Sequence, residues 1–390
     1  MAARPLDPVS VTFVSSHAQM GGSELYLERL LEGLGPGWVR RVVCLQDGPF
    51  ADRLRELGHP LSVIPAPARL GMALTAWRLR RALRADPPAV LHANGVKAAL
   101  IGALAAVGTG IPVIWVKHDF SWDGRLARAI ARGCREVVGV SAAVTQTFGD
   151  SPPCGVHVVP NGIPEPHVDR ARARALVAEL VGEPARAGVV GMIGRLHPAK
   201  GQLELVETAP RILALRPDTR FLILGDPDPY QPAYARTLHD RARELELRDS
   251  VVFAPGRPEA VTVIAGCDLI ALPTVPDERG MGREGFGLVG VEALAVATPV
   301  AGYADGALPE VLGPCARLVA PGDRVALADA IVELLGDEPL RRRLAGCGDE
   351  LVRKRYRLDD MVESMRARYR EAAESRVRRR KASPRRRGLS

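Results

Sequence analysis

The residues best suited to chemistry lie between 282 and 293, Gly-Arg-Glu-Gly-Phe-Gly-Leu-Val-Gly-Val-Glu-Ala. Two carboxylates, Glu284 and Glu292, stand eight positions apart, and Gly285 and Gly287 follow the first closely. Glycines at that density oppose helix as far as Gly287. From Leu288 the pattern turns helical, so Glu284 belongs to a loop and Glu292 to the helix that follows. A glycine-rich loop opening into a helix presents unbonded N–H groups and a partial positive charge, which suits an anion. Carboxylates beside it suit hydroxyl groups. Phosphate and hydroxyls together describe a nucleotide sugar. Gly-x-Gly before a helix is common, so this reading depends on the rest of the chain.

A second group reads Gly194-Arg-Leu-His-Pro-Ala-Lys-Gly. Arg195 ends a predicted strand and Pro198 suits a first helical turn. Lys200 then falls near a helix N-terminus, where a cation is disfavoured by roughly 0.3–1 kcal/mol. A diphosphate held by Arg195 and Lys200 would relieve that conflict. After the first predicted strand comes His17-Ala-Gln-Met-Gly-Gly-Ser-Glu, in which Gly21 and Gly22 allow close backbone approach and Ser23 suits an N-cap. His118, in Trp-Val-Lys117-His118-Asp119, is the histidine best placed at a strand's functional end. Asp226-Pro-Asp228 adjoins a further proline and reads as a turn, so no essential metal is expected. Gly188, Gly191 and Gly194 lie in an apolar strand and do not make a dinucleotide fingerprint.

These groups must be carried by the surrounding elements. Short β-branched runs at 11–15, 41–45, 61–64, 89–92, 112–116, 136–140 and 156–159 alternate with helical patterns, and the alternation resumes at 188–193, 220–224, 251–253, 268–272, 299–301 and 317–319. Such alternation predicts parallel sheets covered on both faces. The expected architecture is α/β, with two doubly wound, Rossmann-like domains facing each other across a ligand-binding cleft. Residues 1–165 form the first, 166–186 a linker, 187–365 the second, and 366–390 a terminal helix and basic tail.

Composition narrows the class. A chain of 390 residues is long enough for two cores. The formal charge of +8 belongs to residues 376–387, which hold eight of the 53 Lys and Arg, leaving 45 against 45 acids elsewhere. The alanine- and arginine-rich body fits a GC-rich bacterial genome. The six cysteines lack metal-ligand spacing and read as free thiols of a reducing compartment. No signal-peptide core is visible over residues 1–10. The charge-free stretch 98–116 is broken by Gly-Thr-Gly-Ile-Pro, which argues against a membrane span. A cytoplasmic protein is expected. The basic, amphipathic Arg69–Arg84 and the tail are candidate peripheral contacts with an anionic membrane surface, though a helix covering a sheet with its basic face in solvent is the plainer reading.

As an ordered set, Gly21-Gly22, Lys117-His118-Asp119, Asn161-Gly162, Gly194-Arg195 with Lys200-Gly201, Glu284-Gly-Phe-Gly with Glu292, and Pro309-Glu310 resemble the retaining glycosyltransferases of family 4, of GT-B type with a glycogen-synthase-like C-terminal domain. The resemblance implies transfer of a sugar from a nucleoside diphosphate sugar, UDP by default, to a hydroxyl acceptor without a cofactor or catalytic metal. It implies that Glu292 holds the ribose, that Glu284 contacts the donor sugar, and that N–H groups from Phe286 through Gly287 to Leu288 line sugar and phosphate. Arg195 and Lys200 would bind the diphosphate, Gly21 and Gly22 would close on the donor, His118 would reach the sugar, and Gly256 and Arg257 would frame the base. Ala307 departs from a Gly-Gly-x-Pro-Glu segment, and the loop 275–283 looks long. Two readings of other kinds stand beside it: a GT-B nucleotide-sugar epimerase, and a polyanion-binding protein acting through its tail. No specific nucleic-acid partner is expected.

Overall fold

The computed structural model describes residues 8–66, 71–182, 188–247, 249–276 and 282–382, with side chains as far as Arg378. It divides into two units, 1–162 with 358–390, and 163–357.

The first unit is built on strands β1 (Val11–Ser15), β2 (Val39–Cys44), β3 (Leu61–Val63), β4 (Val90–Asn94), β5 (Val113–Lys117), β6 (Glu136–Gly139) and β7 (Gly155–Val158). They form one parallel sheet in the order β3-β2-β1-β4-β5-β6-β7. Every residue of β1, β4 and β5 is buried, as expected where helices cover both faces. Those helices are α1 (Gly22–Leu34), α2 (Pro49–Glu56), α3 (Met72–Ala85), α4 (Val96–Ala106), α5 (Arg125–Ala131) and α6 (Ala142–Thr145). Residues 98–116, free of charge in the sequence, are split between α4 and β5. Among the described residues no helix is long and apolar enough to cross a membrane.

The second unit carries α7 (Arg170–Val181), β8 (Val189–Ile193), α8 (Gln202–Leu215), β9 (Arg220–Leu224), α9 (Pro232–Glu244), β10 (Val251–Ala254), α10 (Ala260–Gly266), β11 (Leu269–Leu272), α11 (Leu288–Ala295), β12 (Val300–Tyr303), α12 (Leu308–Leu312), β13 (Arg317–Val319), α13 (Arg324–Gly336) and α14 (Glu338–Arg355). Its parallel sheet runs β10-β9-β8-β11-β12-β13. Both sheets are the doubly wound architecture expected from the alternation of elements.

The division of the chain differs from the sequence-based one. The segment read as a linker contains α7, which packs on α10 so closely that a Cβ on Gly266 would lie 2.2 Å from Ala173 O. At the other end, α15 (Leu358–Ala382) returns to the first unit. Tyr369 is fully buried there, with its hydroxyl 2.7 Å from His92 Nδ1 and its ring edge-on to Phe13. Arg366 donates to the C-terminal carbonyls of α1, Gly33 O and Leu34 O, and its guanidinium lies over Trp38. Its buried side, Met361, Val362, Met365, Tyr369 and Ala372, follows helical spacing, but spacing does not say which unit receives it.

Two further expectations are corrected. Cys315 and Cys347 are joined in a disulfide, with Cα atoms 5.2 Å apart. Their pairing depends on α14 folding back along the turn after α12, which spacing alone does not reveal. Ser23 is not the N-cap of α1. That position falls to Gly21, and Ser23 Oγ donates to Glu24 Oε2 instead. The tip of the loop 275–283, at 277–281, and Arg69 of the basic stretch lie outside the described residues, as does the tail from 383.

Candidate active site

Strand order reverses beside β1 and β4 in the first sheet and beside β8 and β11 in the second. Loops leaving the carboxyl ends of strands at such a switch point are splayed to opposite faces and leave a crevice for ligands. Most of the predicted residues sit on these loops, while His118 follows β5 and Gly256 and Arg257 follow β10. Gly21 and Gly22 follow β1, Arg195 and Lys200 follow β8, and Glu284 to Leu288 follow β11.

In the second unit, Gly201 lets the chain turn from Lys200 into α8. Its φ is +80°, and a Cβ there would lie 1.8 Å from Pro273 O, so glycine is required on both counts. The turn Pro198–Lys200 lies against the β11 loop through Val275 N–H donating to Ala199 O, 3.2 Å. Lys200 Nζ then donates to Glu284 Oε2 at 2.8 Å. Glu284 Oε1 accepts from Gly287 N–H at 3.2 Å, at the mouth of α11, and Phe286 N–H also bonds this carboxylate. Burial by itself raises the Glu284 pKa, but Lys200 and the two N–H groups outweigh it and hold the carboxyl below its ordinary range. Thus two of the three N–H groups expected to face a donor are directed at Glu284. Lysine, carboxylate and helix mouth form one connected group.

Around that group, Gly306 packs its backbone on the Glu284 segment with φ +58°, and Ala307 N–H donates to Glu284 O at 2.8 Å. Ala307 has φ −90°, so a side chain is tolerated there and glycine is not needed. The Phe286 side chain is buried: it is 4% exposed and meets Tyr356 edge-on at 5.5 Å. Glu292 lies within α11 and is buried. Arg195 pairs with buried Asp228 at 3.2 Å. Asp228 Oδ1 also accepts from Tyr230 N–H, while Asp226 Oδ1 accepts from Gly256 N–H at 3.0 Å. Gly256 is constrained by this contact, since a Cβ would lie 2.7 Å from Asp226 Oδ2. Arg257 is exposed on the same loop after β10.

In the first unit, His118 directly follows β5. Its Nε2 lies 2.6 Å from Asn94 Oδ1, at the end of β4. Asn94 Nδ2 donates to Ser23 O, 3.0 Å away in the first turn of α1. That bond fixes the amide so that its oxygen faces the ring, and Nε2–H must be the donor. Burial, opposed by Asp119 and aided more weakly by Lys117, pushes the His118 pKa down to about 4. The ring is therefore neutral at pH 7, with Nδ1 as acceptor. Tyr26 packs edge-on against it at 4.8 Å. Lys117 itself is buried and pairs with Asp123 at 2.6 Å.

The sequence reading missed three positioning residues. Asn94 orients His118, Asp228 holds Arg195, and Asp305 holds Arg283, next to Glu284, at 3.2 Å. Asn94 could have been noticed as a polar residue ending a strand at the switch point. Asp228 reads in the sequence only as part of a turn, and Asp305 carries no local signal. On the outer face of α3, Leu74 and Trp77 are 49% and 56% exposed, beside exposed Arg78, Arg81 and Arg84.

A family model described as "Glycosyl transferases group 1" matches residues 180–348, and one described as "Glycosyltransferase Family 4" matches residues 20–165. The D-inositol 3-phosphate glycosyltransferase of Stackebrandtia nassauensis is 30% identical over 337 residues, which cover 78% of this chain and 73% of that protein. The GDP-mannose-dependent monoacylated alpha-(1-6)-phosphatidylinositol monomannoside mannosyltransferase of Corynebacterium glutamicum is 31% identical over 159 residues, 40% of each chain. Among solved structures, Anabaena Alr3699/HepE in complex with UDP-glucose is similar with a TM-score of 0.81 and 22% identity, over 94% of this chain and all of that one.

Proposed function

This chain belongs to the glycosyltransferases of group 1 and family 4, and on that premise we propose that it transfers a sugar from a nucleoside diphosphate sugar to a hydroxyl acceptor with retention at the anomeric carbon. The observation that carries the proposal is the Lys200–Glu284 pair at the mouth of α11, at the switch point of the second sheet.

In this reading the ammonium of Lys200 serves both Glu284 and the β-phosphate of the donor, and Arg195, held by Asp228, supplies the second cation. When the bond from the anomeric carbon to the phosphate oxygen breaks, its electron pair stays on that oxygen. Cations and N–H dipoles already in place stabilise the charge without reorganising. The acceptor oxygen bonds the anomeric carbon on the same face, and its proton passes to the departing phosphate. Glu284 accepts from sugar hydroxyls, Glu292 accepts from the ribose, and the loop around Gly256 and Arg257 frames the base. His118, neutral and accepting at Nδ1, takes a sugar hydroxyl. Gly21 and Gly22 let the β1 loop approach the donor. No enzymic nucleophile and no essential metal are assigned.

UDP is the first nucleotide to test, since HepE is solved with UDP-glucose, and GDP the second, since the corynebacterial relative uses GDP-mannose. The named relatives make inositol 3-phosphate the first acceptor to test. A thermal-shift screen of UDP-, GDP- and ADP-sugars decides the base by mass action. Lys200→Ala is expected to lower turnover at saturating donor by ~100-fold, and unchanged turnover refutes the assignment. Donor converted without acceptor into a different nucleotide sugar would favour an epimerase. We also propose that the outer face of α3 and the basic tail bring the enzyme to anionic lipid. Equal vesicle flotation with the α3 arginines neutralised and residues 376–390 removed would exclude it.

A further inference from the structure

The catalytic loops occupy the carboxyl edge of the first sheet. At the opposite, amino-terminal edge of β5, β6 and β7 lies a cavity of about 870 Å³. It is walled by the turn 110–113 entering β5, the segment 132–135 between α5 and β6, the segment 153–155 entering β7, and Ser375 with Arg376 from α15. Strands of this length separate the two edges by roughly 15 Å, so the cavity is distinct from the His118 end of the same unit.

Its lining is chemically one-sided. Arg132, Arg135 and Arg376 all contribute, and none of the described lining residues is acidic. Arg132 and Arg135 are exposed and make no ion pair or side-chain hydrogen bond among the described residues. Arg376 is held in place by donating to Pro88 O. Glu136, which opens β6, is buried with Oε2 3.6 Å from Arg368 rather than lining this space. The ends of α4 and α5 each place about half a negative charge near this edge. The guanidinium charges exceed that and leave the lining positive. A concave surface of one sign concentrates counter-ions, and guanidinium forks match phosphate oxygens. The cavity volume is that of a site for a small molecule and far exceeds a bare phosphate.

We propose that this cavity is a second, non-catalytic anion site that takes the phosphate or diphosphate of a small soluble molecule, up to nucleotide size, on Arg132, Arg135 and Arg376. Two thiols, Cys134 and Cys154, line it, and Cys154 is partly exposed. They provide a local reporter.

The test is alkylation of Cys154 by N-ethylmaleimide, followed by peptide mass spectrometry with and without inorganic tripolyphosphate. The anion is expected to slow labelling by about threefold or more at saturation. The protection persists in Lys200→Ala, which disables the donor site, and disappears in Arg132→Ser/Arg135→Ser, whose melting temperature and basal transfer rate stay those of the native chain. Glycerol 3-phosphate and vesicles containing phosphatidic acid are compared in parallel, with soluble ester protecting under the proposal. Labelling unaffected by tripolyphosphate overturns the proposal. So does protection that survives in the double-serine variant, that is lost in Lys200→Ala, or that only vesicles produce.

Discussion

Removing the ammonium of Lys200 strands the carboxylate of Glu284, and the size of the effect follows from their geometry. At 2.8 Å and an effective dielectric of 20, the gross attraction is about 6 kcal/mol. Glu284 is 18% exposed but Lys200 is 44% exposed, so solvent screens the pair and its net worth falls to about 1–2 kcal/mol. For a unit of this size Lys200→Ala is expected to lower the melting temperature by about 3–6 °C. Glu284→Gln added to that variant should recover most of the loss, giving a coupling of about 1–2 kcal/mol in a double-mutant cycle. The pH dependence is fixed in sign. Because the folded-state pKa of Glu284 lies below its ordinary value, its contribution is present above the carboxylate range and is lost as pH falls below about 4. In Lys200→Ala burial is left with less opposition. The gap between native and variant is therefore full at pH 7 and closes in acid. Circular dichroism is the assay of choice, because all four tryptophans, at 38, 77, 115 and 122, lie in the first unit, where fluorescence would miss the change. A coupling under about 0.5 kcal/mol, or a gap that stays constant into acid, refutes the reasoning.

Asn94→Asp places a carboxylate where Asn94 Oδ1 now lies 2.6 Å from the His118 ring. It should raise the His118 pKa from about 4 and create an acid limb in turnover between about pH 5 and 7.5. Asn94→Ala should slow turnover without that limb, and an Asn94→Asp profile matching the native one rejects the tautomer assignment. Burial raises the Glu136 pKa to about 7. A raised carboxyl pKa gives stability that is full below its unfolded value and lost as pH climbs through 7. The first unit should therefore lose roughly 3 kcal/mol over that window, read by tryptophan fluorescence in urea, and Glu136→Gln should flatten the loss. Reducing Cys315–Cys347, which closes a loop of 32 residues, should cost the second unit about 3–4 kcal/mol in the chain-entropy account. An unchanged urea midpoint with dithiothreitol would contradict it.

The strands were legible because parallel strands covered on both faces are continuous apolar runs. Val11–Ser15 and Arg220–Leu224 were placed to the residue. The loop position of Glu284 and the helical position of Glu292 were legible for the same kind of reason, since glycine density and apolar spacing are local properties. Contacts across the chain were not. Lys200 reads as a cation in conflict with a helix, and only the β8–β11 adjacency supplies the carboxylate 84 positions later that answers it. Asn94 meets His118 because β4 and β5 are neighbours, which the residue types do not encode. Ala307 departs from a Gly-Gly-x-Pro-Glu segment, yet its backbone lies in the ordinary helical region, and the residue that needs a glycine is Gly306.

The return of α15 to the first unit has a consequence for how the protein is made. Residues 163–357 are uninterrupted in the sequence, so as they leave the ribosome they hold everything their sheet and helices require. The unit that begins the chain must wait. The surfaces of Phe13, Trp38 and His92 against which Tyr369 and its neighbours pack stay open to water until residues 358–382 have been made. Domains ordinarily complete themselves in order from the amino terminus. Here the later one can finish first, and a chain arrested before Leu358 would carry a mature second unit beside an earlier one with its apolar flank uncovered.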